Sequence, residues 1–225
     1  MSSTIIILAV MVGVISYLIG SVNFSIMLSR AIGGKDIRKS GSGNAGATNM
    51  LRTYGKKMGV LTLLLDVFKG IAAIIIANVI VGHYMNTSAN DTFLAALDAA
   101  SLPYIAGLCV VLGHNFPLYF GFKGGKGVAT SLGVVLMLDW KLGLVVGLGA
   151  IAVMAITRYV SFGSILGGAA FIVGEAVGMI ITGTIIPVKL VCCVLIGGML
   201  IVRHHANIKR LLNGTENKLG SKKKA

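Results

Sequence analysis

Long apolar runs alternate with short polar stretches along this chain. Clear runs cover residues 5–28, 59–81, 93–112, 142–157, 160–181 and 185–202. Their lengths lie near the ~20 residues that a helix needs to cross a bilayer. A seventh stretch, residues 127–138, is uncharged but only 12 residues long. At ~1.5 Å per residue it reaches roughly 18 Å, short of a hydrocarbon core of about 30 Å, so length alone does not make it a span.

Composition turns these runs into a class. Of 225 residues 56% are hydrophobic and 12% charged, and the mean hydropathy is +0.90. A soluble domain could not cover its surface with so few charges, so the expectation is an all-α integral membrane protein in one polytopic domain, residues 1–225. Residues 1–29 carry no charged side chain, hence no basic segment of the kind that opens a cleavable signal, and the first run reads as a retained span. The net charge of +13 comes from 20 Lys and Arg against 7 Asp and Glu. No segment joins basic residues to stacking aromatics, which argues against nucleic acid and for basic flanks on cytoplasmic helix ends. Cys109, Cys192 and Cys193 sit in apolar runs without metal or redox spacing and read as core residues.

Charge also decides the doubtful run. Residues 29–58 hold seven Lys and Arg, the basic tail from about 203 holds seven more, and residues 82–92 hold none. If 127–138 crosses, there are seven transmembrane helices with the N-terminus outside and the C-terminus cytoplasmic. Both basic segments then lie inside together with Lys123, Lys126 and Arg158, leaving only Lys141 and Lys189 outside and Lys69 within the second helix. If it does not cross, the two seven-charge segments fall on opposite sides, against the positive-inside bias. Seven spans are expected, with four polar segments gathered on the cytoplasmic face: 40–49, 113–130, 157–161 and 203–218.

The first of these, SGSGNAGATN, contains G-x-G-x-x-G at Gly41, Gly43 and Gly46. What precedes it is an apolar run rather than the strand of a βαβ unit, so a dinucleotide fold does not follow. Gly, Ser, Asn and Thr in succession can instead turn several N–H groups toward one anion, phosphate above all. KGGKG at 123–127 has the same character with two ammonium groups added, and it is no Walker A. Two such loops on one face suit a substrate pair carrying two phosphates. The seven acidic residues form no metal-binding spacing, and no His is followed five positions later by Asp. Magnesium-dependent transfer and the H-x4-D acyltransferase chemistry are therefore not expected, and neither metal nor cofactor is called for. A transporter for a phosphorylated solute is the rival reading, but no internal repeat is visible and the motifs sit at helix ends rather than at the midplane.

Four motifs carry a resemblance: D-I-R-x-x-G-S-G-N-x-G-A-T-N (36–49), G-H-x-F-P…F-K-G-G-K-G-V-A-T (113–130), R-Y-x-S (158–161) and R-H-x-x-N-I-x-R-L-x-x-G-x-E (203–216). In this order, over nearly the whole chain, they resemble the bacterial acyl-phosphate–glycerol-3-phosphate acyltransferase family. The resemblance implies seven helices with the N-terminus outside, a multi-pass protein of the bacterial plasma membrane, and a cytoplasmic active site. It also implies transfer of a fatty acyl group from acyl phosphate to the sn-1 hydroxyl of glycerol 3-phosphate, giving lysophosphatidic acid and inorganic phosphate in phospholipid biosynthesis. The soluble enzyme that makes acyl phosphate becomes a candidate docking partner, alongside the two substrates and the lipid bilayer.

By the same resemblance Ser42, Arg52, Lys126, Ser161, His204 and Asn207 belong at the substrate site. The phosphate-binding set is expected to be Gly41, Gly43, Asn44, Thr48, Asn49, Arg52, Gly124, Gly125, Lys126, Gly127 and Thr130. A guanidinium and an ammonium suit phosphate, though either also suits a positive-inside anchor. Ser42 and Ser161 read as donors or as helix caps. His204 reads either as the base for the attacking hydroxyl or as a residue that positions it while the departing phosphate takes the proton. Asp66 and Lys69, three apart within the second run, read as functional or as an intrahelical ion pair. Glu175 has no partner legible in sequence. Gly143, Gly147, Gly163, Gly167, Gly168, Gly174 and Gly178 are expected at close helix contacts.

Overall fold

The structure is a computed structural model, and it describes residues 3–87 and 99–220. Among these the regular elements are ten α-helices and two short 3-10 turns. The helices are α1 (Ser3–Ser21), α2 (Phe24–Gly33), α3 (Ala47–Tyr54), α4 (Lys56–Thr87), α5 (Leu102–Asn115), α6 (Val128–Leu138), α7 (Trp140–Thr157), α8 (Val160–Thr182), α9 (Pro187–Val202) and α10 (His205–Leu212). Five stretches are long and apolar enough to cross a membrane: Ser3–Gly33, Lys56–Asn86, Leu102–Phe120, Trp140–Thr157 and Val160–Thr182. A sixth arises if α9 and α10, bent by 52° at their junction, count as one. The protein is an all-helical, multi-pass membrane protein.

Every apolar run of the sequence is helical where described, with three changes of detail. The first run is broken. Asn23 stops α1 and caps α2, its Oδ1 accepting from the Ile26 N–H (3.1 Å) and the Ser25 hydroxyl (2.7 Å). A helix break inside apolar sequence frees backbone carbonyls. Here Lys69 Nζ takes two of them, donating to Gly20 O (3.2 Å) and Val22 O (2.8 Å). The second run continues as helix to Thr87, so the loop expected from residue 82 begins later. Of the third run, residues 93–98 lie outside the described residues, as do Lys222, Lys223 and Lys224 of the tail.

Residues 128–138 form a separate helix and turn directly into α7 at Asp139, which ends one helix and caps the next by accepting from Leu142 N–H (2.9 Å). The core lies along α5, which touches α1, α4, α6 and α9. Val12, Ile74, Val110, Val111, Val134, Phe171 and Ile196 meet there with almost no exposure. Backbones come close where side chains are smallest. A methyl added at Gly20 or Gly113 would overlap backbone across the α1–α5 contact, and one at Gly70 or Gly133 would do so across α4–α6. Of the glycines expected at helix contacts, Gly143, Gly163 and Gly174 abut neighbouring side chains, whereas Gly178 has no described atom within reach. Glu175 proves to be paired, its Oε2 lying 2.9 Å from Lys189 Nζ.

Candidate active site

The first glycine-rich loop is held from within by one side chain. Asn49, 1% exposed, accepts from the Ser42 N–H (2.9 Å) and donates through Nδ2 to the carbonyls of Ile37 (3.2 Å), Ser40 (3.0 Å) and Asn44 (3.0 Å). Both polar atoms of the Asn49 side chain, expected in the phosphate-binding set, are bonded within the loop. Gly41 has φ +59° and packs where a side chain would strike Asn49 Oδ1, and the Gly43 N–H turns inward to Ser40 O (3.0 Å). The positive φ of both, +59° and +75°, is a conformation that favours glycine. The side chains of Ser42, Asn44 and Thr48 form no hydrogen bond with another described residue, nor do the Ala47 and Thr48 N–H groups that open α3.

Arg38 joins this loop to the second. It grips Asp36 in two bonds (Nε to Oδ1 3.0 Å, Nη2 to Oδ2 2.8 Å) and donates through Nη1 to the carbonyls of Phe120 (2.7 Å) and Lys123 (2.8 Å). That grip holds the Asp36 carboxyl well below the usual range. In the second loop the Gly124 and Gly125 N–H groups donate to Asn115 O and His114 O, both at 3.1 Å. Both glycines, expected in the phosphate-binding set, are required by close approach to the end of α5. Their carbonyls face the Arg203 guanidinium, with Gly125 O 2.8 Å from Nη2. Gly127, φ +84°, is the αL residue that starts α6. At that start Thr130 Oγ1, Ser131 Oγ and Asn115 Oδ1 are buried with no hydrogen-bond partner among the described residues. A helix N-terminus with uncommitted hydroxyls favours an anion.

The tail closes the site. Leu219 and Arg158 pair, Leu219 N–H donating to Arg158 O at 2.7 Å and Arg158 Nη2 to Leu219 O at 2.9 Å. This turns the chain back so that Glu216, 9% exposed, reaches the start of α8. Glu216 Oε1 accepts from Ser161 Oγ (3.0 Å) and Asn207 Nδ2 (2.7 Å), and Oε2 from Arg210 Nε (2.7 Å). Burial opposes that carboxylate, but the bonds from Asn207, Arg210 and Ser161 outweigh it and its pKa is lowered. Lys126 Nζ donates to Asn207 Oδ1. Arg52 is exposed on α3 and donates to Asn217 O (3.3 Å), which ties it to the same tail. Five of the six residues expected at the substrate site, Arg52, Lys126, Ser161, His204 and Asn207, are thus gathered through residues 203–217. Ser42 is exposed on the first loop, its N–H bonded to Asn49 of the helix that carries Arg52.

Electrostatics distinguishes the titrating groups. Burial pushes Lys126 down to about 8, with Glu216 partly offsetting it and Arg210, Arg203 and Arg52 adding to it. His204 is 3% exposed, and burial with the Lys126 charge takes it down to about 4. Its Nδ1 lies 2.8 Å from Leu200 O, which can only accept, so Nδ1 carries the proton and Nε2 offers a lone pair. Glu216, Arg203 and Arg210 were not expected as functional. They lie within the fourth motif, yet only folding reveals which of its residues face the others.

A bundle of apolar helices with a cationic, anion-accepting cluster across the ends of α3, α6, α8 and α9 defines a membrane protein that handles a small anionic substrate. A family model described as glycerol-3-phosphate acyltransferase matches residues 10–214. Relatives named glycerol-3-phosphate acyltransferase include one from Clostridioides difficile (strain 630), 42% identical over 95% of this chain and 97% of its own. Another, from Halalkalibacterium halodurans, is 42% identical over 92% and 94%. Crystal structures of PlsY (YgiH), an integral membrane glycerol 3-phosphate acyltransferase, are 37% identical. The glycerol 3-phosphate form has a TM-score of 0.79, covering 94% of this chain and 96% of that one. For the lysophosphatidic acid form the TM-score is 0.73, covering 94% and 95%. The chain belongs to the glycerol-3-phosphate acyltransferase family, and it is an enzyme of that kind.

Proposed function

We propose that this enzyme transfers a fatty acyl group from acyl phosphate to the sn-1 hydroxyl of glycerol 3-phosphate at the cytoplasmic face of the bacterial plasma membrane, releasing lysophosphatidic acid and inorganic phosphate. The observation that carries the reading is the cluster in which Ser161, Asn207 and Arg210 already hold a carboxylate beside Lys126. It recognises oxyanions, and the solved relative is described in glycerol 3-phosphate and lysophosphatidic acid forms.

Arg52, Lys126 and Ser161 bind the glycerol 3-phosphate phosphate, with Ser42, Asn44, Thr48 and the opening N–H groups of α3 along its edge. The phosphoryl group of the donor lies at the start of α6, by Gly127 and Thr130, and its acyl chain runs into the bilayer. The glycerol oxygen attacks the acyl carbon, a new C–O ester bond forms, and the anhydride bond to phosphate breaks with its electron pair leaving on phosphate oxygen. Acyl phosphate is an activated anhydride, so its leaving group needs charge stabilisation more than protonation, and fixed donors in a partly dry site provide it. The hydroxyl proton passes to the departing phosphate. His204 Nε2 accepts a hydrogen bond from that hydroxyl and aims it; an imidazole at about 4 is a poor proton acceptor near neutrality, which supports positioning over base catalysis.

The proposal includes seven spans with the N-terminus outside. What supports it is the chain path: α6 leaves the cluster at Gly127, turns at Asp139, and α7 returns to Arg158 beside the tail. Purified enzyme given acyl phosphate, glycerol 3-phosphate and chelator is expected to release phosphate and lysophosphatidic acid one for one. Equal turnover with acyl-CoA, or dependence on magnesium, would overturn the donor assignment.

A further inference from the structure

Beneath the two glycine-rich loops lies a buried ionic cluster that the reaction as described does not use. Asp66 and Lys69 of α4 and His114 of α5 are 1%, 4% and 3% exposed. Lys69 Nζ sits 2.9 Å from Asp66 Oδ1 and 2.9 Å from His114 Nδ1, besides the two carbonyls at the α1–α2 break. Charges at this depth are costly, and breaking such a pair costs more than the pair contributes. His114 Nδ1 also lies 3.5 Å from Asp66 Oδ1, so this ring nitrogen faces both members of the ion pair.

Nε2 is where the cluster meets the active site. A methyl group on Gly125 would overlap both His114 Nε2 and the carbonyl oxygen of Ala45. The imidazole, the second glycine loop and the first glycine loop therefore converge at one point, one residue from Lys126. The His114 backbone reinforces the contact, its carbonyl accepting the Gly125 N–H at 3.1 Å while Asn115 O accepts that of Gly124. Those two backbone bonds hold the second loop to the end of α5, and what they leave open is its spacing from Ala45 of the first loop. The ring supplies that spacing.

We propose that Asp66, Lys69 and His114 form a positioning device: the ion pair fixes the His114 ring, the ring sets the spacing of the two glycine-rich loops, and that spacing places Lys126 against the substrate phosphate. This rests on the reading of Lys126 as a phosphate ligand. Lys69, anchored to the α1–α2 break, extends the device to the interior of the first apolar run, so four segments distant in sequence share one reference point.

A double-mutant cycle in kcat/KM for glycerol 3-phosphate separates positioning from general support of the fold. His114→Asn keeps an acceptor for Lys69 but is too short to reach Gly125, and Asp66→Asn keeps the shape while removing the charge. Each is combined with Lys126→Ala, and melting is followed alongside. His114→Asn is expected to melt near the wild type and Asp66→Asn lower, since it leaves the Lys69 charge buried without its partner. At a temperature where both are folded each loses activity roughly tenfold, while each double variant stays within about threefold of Lys126→Ala alone, because a misplaced lysine and an absent one forfeit the same contact. Losses that multiply in both cycles, or wild-type activity in both single variants, overturn the positioning role. Should one variant not fold, the cycle with the other decides by the same criterion. Full activity of Lys126→Ala would instead refute the phosphate assignment on which the device rests.

Discussion

With Lys126 in the proposed role of phosphate ligand, burial is expected to set an alkaline limit on this enzyme. Its ammonium titrates at about 8 rather than at the model-compound value of 10.5, because the loop beneath it and the tail above it withdraw water. The sign is fixed by role: phosphate binding needs the charged form, so activity is present below the folded pKa and is lost as pH rises through it. One unit below that pKa about nine-tenths of molecules carry the charge, and one unit above about a tenth do, so kcat/KM for glycerol 3-phosphate should fall about tenfold per unit at high pH. A bound phosphate dianion favours the ammonium, and the limb in kcat should lie higher than that in kcat/KM. Glu216 raises the Lys126 pKa. In Glu216→Gln the limb should move down by about half a unit to one unit, equivalent to about 0.7–1.4 kcal/mol. Lys126→Arg keeps its charge over the whole range and should lose the limb. The assay is lysophosphatidic acid formation from labelled glycerol 3-phosphate in detergent between pH 6 and 10. A limb near 10.5, or one that persists unchanged in Lys126→Arg, would refute the reasoning.

Three further outcomes are expected. His204→Gln retains measurable turnover and, since the wild-type ring titrates at about 4, leaves the profile between pH 6 and 7 unaltered; a glutamine variant as inactive as His204→Ala, with loss of a group titrating near neutrality, would make His204 the base. Asn49→Ala strands three buried or half-buried carbonyls and should cost about 2–4 kcal/mol by thermal melting, whereas Asn44→Ala, which releases no such bond, should lower activity at unchanged melting temperature. Cysteines placed by Ser42→Cys, Lys123→Cys and Asn213→Cys should react with an impermeant thiol reagent only once the cytoplasmic face is opened, and one placed by Asn86→Cys should react in intact cells; labelling at position 213 from outside would refute the seven-span topology.

Hydropathy and charge made the helices legible because a bilayer leaves a chain few options: backbone groups must be paired within each segment, and basic flanks stay inside. Residues 127–138 are too short to identify as a span by length, and charge, which acts over the whole chain, is what argues that they cross; residues 128–138 are helical. Lys126, Ser161, His204 and Asn207 could be named as candidates from the resemblance that the four motifs carry. Their grouping could not. Asn49 reads in sequence as one more polar residue of a phosphate loop, and only the fold turns it inward to hold Ile37, Ser40 and Asn44. Gly124 and Gly125 read as anion donors until the end of α5 takes their amides. The tail reads as a basic appendage until the Leu219–Arg158 pairing brings Glu216 to Ser161 and Asn207. Glu175 finds Lys189 across a turn, and the break at Asn23 finds Lys69 from a helix almost fifty residues away. Local patterns follow from solvent preference and are written residue by residue. Hydrogen-bond partners follow from which groups converge in space, and convergence belongs to the folded bundle alone.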